Sequence, residues 1–443
     1  MNYRIEKDSL GQVEIENNRY YGINTKRALE NFTHKGKKVN IEIIKSLAIV
    51  KMAAAISNNK INKLEKNIAD LIVEACNEIY NGKYDNEFPL YAIQGGAGTS
   101  INMNINEVIA NIVLEKMGYE KGKYEIVNPI EHINLSQSTN DVFPTAVKIS
   151  VIRILRELIN EVMKLQEVLQ EKEAEFANIF KIGRTQFQDA VPITVGAEFS
   201  AYAESVSRDR WRLYKIEERI RRINIGGTAI GTGVGASLKY RYYVSEELKR
   251  LTGYGLARAE NLIDATQNLD VFVEVSSLLK TLAVNLNKMA KDFRILSSGP
   301  NAGLNEINLP KLQIGSSIMP GKINPVGPEF IQQIYFKIVG NDLTLTMACA
   351  DGELELNAFT PIIAESILES IELLRDGIKV FTEKVVKGIT VNEDICKKYL
   401  ENSLTKATEL IDKFGYEFLS EILKESNKTG KHYLEILKEK NLI

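Results

Sequence analysis

Between Thr145 and Phe180 the chain has neither glycine nor proline, and Ile152, Leu155, Ile159, Val162, Leu165 and Leu169 recur at spacings of three and four. That period is a helix with one apolar stripe, and at helical rise the stretch makes a rod of about 54 Å. Ala197 to Asn224 and Asn268 to Ser298 are two further stretches free of both breakers, again with apolar residues at helical spacing. Helices longer than a small domain is wide must lie side by side. The sequence therefore predicts an all-α fold built on a central bundle of long helices.

The breakers gather between the rods, in Gly183 to Gly196, Gly226 to Gly235 and Gly299 to Pro328, and Pro300, Pro310, Pro320, Pro325 and Pro328 all fall in the last of these. A loop of that length inside a compact protein is expected to be functional. Three regions follow: a mostly helical N-terminal domain at 1–140 with shorter segments, the long-helix bundle at 141–393, and a short, Lys-rich helical domain at 394–443. Strand signals are few. Gln12 to Ile15 alternates and reads as an edge ribbon or a loop.

The balance of 44% hydrophobic and 26% charged residues over 443 positions is that of a well-cored globular protein and excludes disorder. A net charge of -2 implies no bulk attraction to nucleic acid or an anionic membrane. No apolar run approaches the roughly 18 residues of a membrane span, and MNYRIEKDSL has no apolar core of a leader, so a cytoplasmic location is expected. Cys76, Cys349 and Cys396, like His34, His132 and His432, are too scattered for a disulfide scaffold or a zinc site, and no metal site is expected.

Gly315 to Pro325, GSSIMPGKINP, sets two hydroxyls (Ser316, Ser317), the Lys322 ammonium and the Asn324 amide on a backbone whose glycines permit movement. It reads either as an anion clamp or as an ordinary Gly/Pro turn. Gln94 to Val108, QGGAGTSINMNINEV, places Thr99 and Ser100 after a glycine-rich turn, with Asn102, Asn104 and Asn106 alternating with apolar residues, and lacks the spacing of a phosphate-binding Walker loop. His132 to Thr145, HINLSQSTNDVFPT, brings Ser138, Thr139 and Asn140 to the head of the first rod, where small donors suit a carboxylate; plain capping by Asn140 or Asp141 is the bland alternative. Gly226 to Gly235 superficially suggests a dinucleotide loop but follows a helix-patterned stretch instead of a strand. The basic run Arg208 to Arg222 pairs Glu217 with Arg221 and Glu218 with Arg222 at helical spacing, the mark of a solvated or intersubunit face, not of nucleic-acid binding. His132, Glu198 and Glu353 are read as structural or loop-orienting.

The string GSSIMPGKINP resembles the signature loop of the aspartase/fumarase superfamily, the fumarate lyases. QGGAGTSINMNINEV, HINLSQSTNDVFPT and GRTQFQDAVPITVGAEF (Gly183 to Phe199) are similar to its other conserved segments, and the resemblance runs from about Tyr3 to about residue 393, with a tail shorter than is usual. Within the superfamily the chain looks like the aspartase branch: glutamine, Gln186, follows the threonine where fumarases typically have histidine, and Tyr20 to Phe32, YYGINTKRALENF, resembles the aspartase YYGI pattern.

The resemblance implies an ammonia-lyase reaction, the reversible deamination of L-aspartate to fumarate and ammonia through an enediolate-like intermediate. It assigns the base to Ser316. Thr99, Ser138, Thr139 and Ser317 would hold the carboxylate that becomes negatively loaded, Thr185, Lys322 and Asn324 the other, while Asn140 and Gln186 would contact the leaving amine. It further implies a homotetramer with a shared helical core and active sites collected from different subunits. No cofactor is required, and activation by a divalent cation at a separate site is left open. The alternatives are a class II fumarase, opposed by Gln186 and YYGI, and a catalytically silent structural or binding protein on the same scaffold, opposed by the intact Ser316, Lys322 and Asn324.

Overall fold

Five helices of 25 to 37 residues dominate the computed structural model, which describes residues 2–443: Thr139–Glu175, Val195–Ile220, Asp270–Leu296, Val326–Ala350 and Thr360–Lys384. The fold is all-α as expected, and among the described residues the strands form only two-stranded ribbons. No helix among them is long and apolar enough to cross a membrane.

The first rod starts earlier than the glycine and proline pattern suggested, at Thr139, and runs through Pro144. Proline removes the N–H that would bond the carbonyl four residues back; that carbonyl, on Asn140, instead accepts from Asn224 Nδ2 at 2.9 Å. The rod ends at Glu175 because the Phe176 carbonyl accepts from the Gly196 N–H at 3.0 Å, folding the chain back. The intervening segment, expected as a loop, is a hairpin. Phe180–Thr185 pairs antiparallel with Gln188–Thr194, and the two turn residues, Gln186 and Phe187, take φ of 53° and 63°. Gln12 to Ile15 lies in a second hairpin, Tyr3–Asp8 with Gly11–Glu16.

Contacts divide the chain into two compact units made of interleaved segments. The first takes the chain up to Ile159, Trp211–Thr281 and Phe336–Leu374; the second takes Asn160–Arg210, Leu282–Tyr335 and Arg375–Ile443. This spatial division differs from the division along the sequence at 140 and 393, because each long helix contributes residues to both units.

In the first unit the helix Ile41–Lys60 packs against Lys66–Tyr80 and Leu238–Thr252, and the helix Thr99–Lys116 is buried along nearly its whole length. In the second unit the buried rings of Phe176, Phe199, Phe293 and Phe381 pack in sequence, with centroids 5.3, 5.7 and 5.9 Å apart. Aromatic pairs at this spacing contribute about 1 kcal/mol each beyond area burial. The tail forms its own small core of Ala407, Ile422, Tyr433, Ile436 and Leu437.

Candidate active site

Of the sequence-identified residues, Thr99, Ser138, Thr139 and Asn140 belong to the first unit and Thr185, Gln186, Ser316, Ser317, Lys322 and Asn324 to the second. In the first unit the glycine-rich turn delivers Thr99 as the first residue of its helix, after Gly98 at φ 88°. Glycine is required there twice over, since a Cβ would also meet the Phe143 ring at 2.7 Å. One turn along, Asn102 Nδ2 donates to Thr139 Oγ1 at 3.0 Å, tying this helix to the head of the first rod.

That head is closed by a reciprocal cap. Ser138 Oγ accepts from the Asn140 N–H at 3.2 Å, and Asp141 reaches back to accept from the Ser138 N–H at 3.0 Å. Capping thus falls to Ser138, with Asp141 as its partner, and not to Asn140. Asn140 Nδ2 donates to the Ala229 carbonyl at 2.7 Å, which leaves its Oδ1 as the free end of the amide.

The glycine-rich loop that superficially resembled a dinucleotide site is consumed internally. Its Gly226 and Thr228 N–H groups donate to Asp141 Oδ2 at 2.9 and 3.0 Å, so the donors that would cradle a phosphate are spent. Burial pushes the Asp141 carboxyl up to about 6, against the pull of those N–H donors and of the Lys51 charge. Lys51 itself was not singled out in the sequence. It is fully buried, donates to Asn134 Oδ1 at 2.8 Å and Gln137 Oε1 at 3.0 Å, and burial pulls it down to about 7. A single lysine inside the otherwise apolar run Leu47 to Ile56 was the available signal.

The other motif residues in this unit are structural. His132 Nδ1 accepts from the Asn128 N–H at 2.8 Å within its own turn. Glu353 joins a backbone bridge to Leu356. Glu217 binds Arg221 and also Arg156, whose Nη2 lies 2.7 Å away. The YYGI segment is a clasp: buried Glu107 accepts from the Gly22, Asn24 and Thr25 N–H groups at 2.8, 2.7 and 3.2 Å. A Cβ at Gly22 would meet the Tyr124 hydroxyl at 2.6 Å and Glu6 at 2.7 Å.

In the second unit Thr185 and Gln186 stand exposed at the tip of the Phe180–Thr194 hairpin. Both turn residues have positive φ without being glycine, a conformation costing about 1–3 kcal/mol per residue that concentrates at functional sites. Beneath the tip lies a charge cluster that sequence reading missed. Lys181 Nζ stands 2.9 Å from Glu198 and 2.8 Å from the buried Glu306, which also pairs with Arg184 at 2.9 Å. Glu198 is thereby a supporting residue, as expected. Gln186, Arg184 and Glu198 border a cleft of about 450 Å³ together with Lys288, Lys291 and Tyr202.

The Ser316 loop is pinned at its neck and exposed at its tip. The Gly315 N–H donates to the Lys322 carbonyl at 2.9 Å, Asn324 Nδ2 donates to the Gly315 carbonyl at 2.7 Å, and a Cβ at Gly315 would meet that Lys322 oxygen at 2.5 Å. Inside the loop Ser316 Oγ accepts from the Ile318 and Met319 N–H groups at 3.2 and 3.0 Å. Ser317 and the Lys322 side chain are exposed, and no hydrogen bond links this loop to the hairpin tip among the described residues.

Glycine-pinned loops that present hydroxyls, amides and one ammonium on an all-helical scaffold define a lyase of the aspartase/fumarase superfamily. The family model described as Lyase matches residues 11–340, and the chain belongs to that family. It is 47% identical to an aspartate ammonia-lyase of a Bacillus species over 98% of this chain and 92% of that one. It is 46% identical to an aspartate ammonia-lyase of Helicobacter pylori, over 99% and 94%. Among solved structures it is similar to a fumarate lyase:delta crystallin from Brucella melitensis bound to cobalt (TM-score 0.97, 43% identity, 100% and 96% coverage). It is also similar to a class II fumarase from Schistosoma mansoni (TM-score 0.95, 36% identity, 100% and 96% coverage).

Proposed function

We propose that this chain is a carbon–nitrogen lyase that converts L-aspartate reversibly to fumarate and ammonia. Ser316 Oγ, as the alkoxide, takes the proton from C3. The electron pair moves onto the adjacent carboxylate as an enediolate, then returns to form the C2–C3 double bond as the C2–N bond breaks and ammonia departs with its pair. The observation that carries the reading is the polarity of the hydroxyls. Ser316 Oγ accepts two backbone N–H groups, the arrangement that stabilises an alkoxide. Ser138 Oγ and Thr139 Oγ1 likewise accept from within the protein, which frees their O–H protons for a carboxylate gaining charge.

Thr99, Ser138, Thr139 and Ser317 hold the carboxylate that loads; Thr185, Lys322 and Asn324 hold the other. Asn140 Oδ1, free because its Nδ2 is bound to Ala229, and Gln186 receive the ammonium. Neither titrates near neutrality. An ammonium leaves as neutral ammonia without further protonation, whereas hydroxide requires an acid, so Gln186 favours amine over hydroxyl elimination. The reading asks for no cofactor.

The same proposal makes the enzyme a cytoplasmic homotetramer with sites composed from several subunits. The helix Val326–Ala350 supports this, with Phe336, Leu343 and Met347 at 62%, 62% and 60% exposure flanking Gly340 at heptad spacing, a seam that calls for partner helices. All three cysteines are free thiols, as a reducing compartment favours.

The test is the reverse reaction in heavy water, followed by proton NMR. The reading predicts that fumarate with ammonium gives aspartate carrying one deuteron at C3. Malate forming from fumarate, with no aspartate, overturns it.

A further inference from the structure

Lys51 lies in the middle of the apolar helix Ile41–Lys60, with no exposed surface, and its hydrogen bonds go to Asn134 and Gln137, neither of them assigned above to substrate. Lys51 Nζ donates to both amides it meets, and whether charged or neutral it has at least the two N–H groups this takes, so both amides turn their oxygens toward it. Asn134 presents Oδ1 and Gln137 presents Oε1, at 2.8 and 3.0 Å. With Asn134 Oδ1 fixed as an acceptor, Asn102 and Asn106 must both turn their Nδ2 groups to it, at 3.2 and 3.3 Å. Asn102 then has one N–H left, and it donates that to Thr139 Oγ1 at 3.0 Å.

Two further features show that this direction is imposed. Asn102 Oδ1 and Asn106 Oδ1 are buried and find no hydrogen-bond partner among the described residues, so nothing on the oxygen side of either amide sets its orientation. The Thr139 side chain, 8% exposed, makes no hydrogen bond among the described residues other than the one it accepts from Asn102. A buried hydroxyl that already accepts one hydrogen bond and whose proton has no partner is set to donate to a bound group.

We propose that Lys51 is a positioning residue for the substrate: through Asn134 and Asn102 it keeps the Thr139 proton free to donate to the substrate carboxylate. The inference rests on the assignment of Thr139 to carboxylate binding. Asp141 secures the same segment from the other side by accepting from the Ser138, Gly226 and Thr228 N–H groups, and its charge helps to retain the Lys51 proton against burial. Lys51 acts on the amides, Asp141 on the backbone. Between them the hydroxyl dipoles are set before substrate arrives.

The experiment is a pair of double-mutant cycles read in kcat and KM for L-aspartate, with the binding of succinate, a dicarboxylate that cannot react, as a second readout. Asn102→Asp keeps the shape and reverses the polarity, since a carboxylate would take the Thr139 proton for itself. Lys51→Met keeps the length and removes the donor. Each is made alone and together with Thr139→Val. The proposal expects each single change to raise KM and weaken succinate binding at least tenfold with a smaller effect on kcat. In the Thr139→Val background it expects each to change KM by less than twofold, because the hydroxyl it orients is gone.

Unchanged KM in the single variants overturns the proposal. So do effects that persist undiminished in the Thr139→Val background, which would make Asn102→Asp a plain charge repulsion and Lys51→Met a packing defect. Should Lys51→Met fail to fold, the Asn102→Asp cycle decides alone. Turnover of L-aspartate by the unaltered protein is measured first, and its absence would count against the reaction assigned above, while succinate binding continues to report on Thr139.

Discussion

Ser316 Oγ lies 3.0 Å from the Met319 N–H and 3.2 Å from the Ile318 N–H, accepting from both within a loop pinned at Gly315 and Asn324. A loop serine needs no such pair of donors merely to bind a ligand through its proton. The pair lowers the cost of carrying charge on Oγ, which is what proton abstraction from carbon demands. Ser316→Ala is expected to lower kcat by about a thousandfold or more and to change KM by only a few-fold, since the lost interaction belongs to the transition state. Steady-state kinetics on the purified variant check this. Retention of more than a tenth of the turnover would reduce Ser316 to a binding group.

Gln186 should be felt only by substrates that carry an amine. Gln186→Ala is expected to lower kcat/KM for L-aspartate about tenfold or more, consistent with the loss of one hydrogen bond to a charged group, while leaving the inhibition constant of succinate unchanged. Inhibition assays with both ligands measure the split. An equal loss for succinate would place Gln186 on a carboxylate.

These two residues differ in how plainly the sequence announced them. The Ser316 loop was legible because glycine and proline concentrate there, and glycine is indeed demanded at 315 by the Lys322 carbonyl. The rods were legible from the same signal used in reverse, by its absence. The hairpin under Gln186 was not, because Gly183 and Pro192 read as breakers and its two-residue turn uses Gln186 and Phe187 where such turns favour asparagine and glycine. Pro144 hid the true start of the first rod, for its cost is met by Asn224 from far along the chain. Buried charges such as Lys51 and Glu306 carry no periodic signature, and only their partners, brought in by the fold, explain them.

Lys51 also makes a prediction about stability. Burial holds its ammonium down to about 7, against an ordinary 10.5. Between those values the unfolded chain holds a proton that the folded protein has released, so this group makes stability rise with pH across that window. Lys51→Met abolishes the contribution. Urea unfolding of both proteins at intervals from about pH 7 to pH 9 should show the wild type gaining on the variant as pH rises. A difference that stays flat would mean that Lys51 keeps its ordinary value in the folded state.

Composite sites are tested by complementation. Asn140 and Ser316 lie in different compact units, and Asn140→Ala and Ser316→Ala should each be at least tenfold impaired alone. If each site draws these two residues from different subunits, dissociating the two variants together and reassembling them gives about a quarter of the sites both native residues, and about a quarter of wild-type activity returns. Sites built within one chain would recover nothing. Light scattering of the reassembled sample confirms whether tetramers have formed, and Leu343→Lys, which places a charge in the exposed apolar seam, should shift that population toward smaller species.

The most direct measurement is the rate of fumarate formation, followed by its ultraviolet absorbance, from L-aspartate and from L-malate with the same enzyme preparation. The account predicts turnover of aspartate with a stoichiometric release of ammonia, and malate turnover lower by at least a hundredfold. Fumarate from malate with none from aspartate would contradict it, and would mean that Gln186 and Asn140 receive a hydroxyl and not an amine.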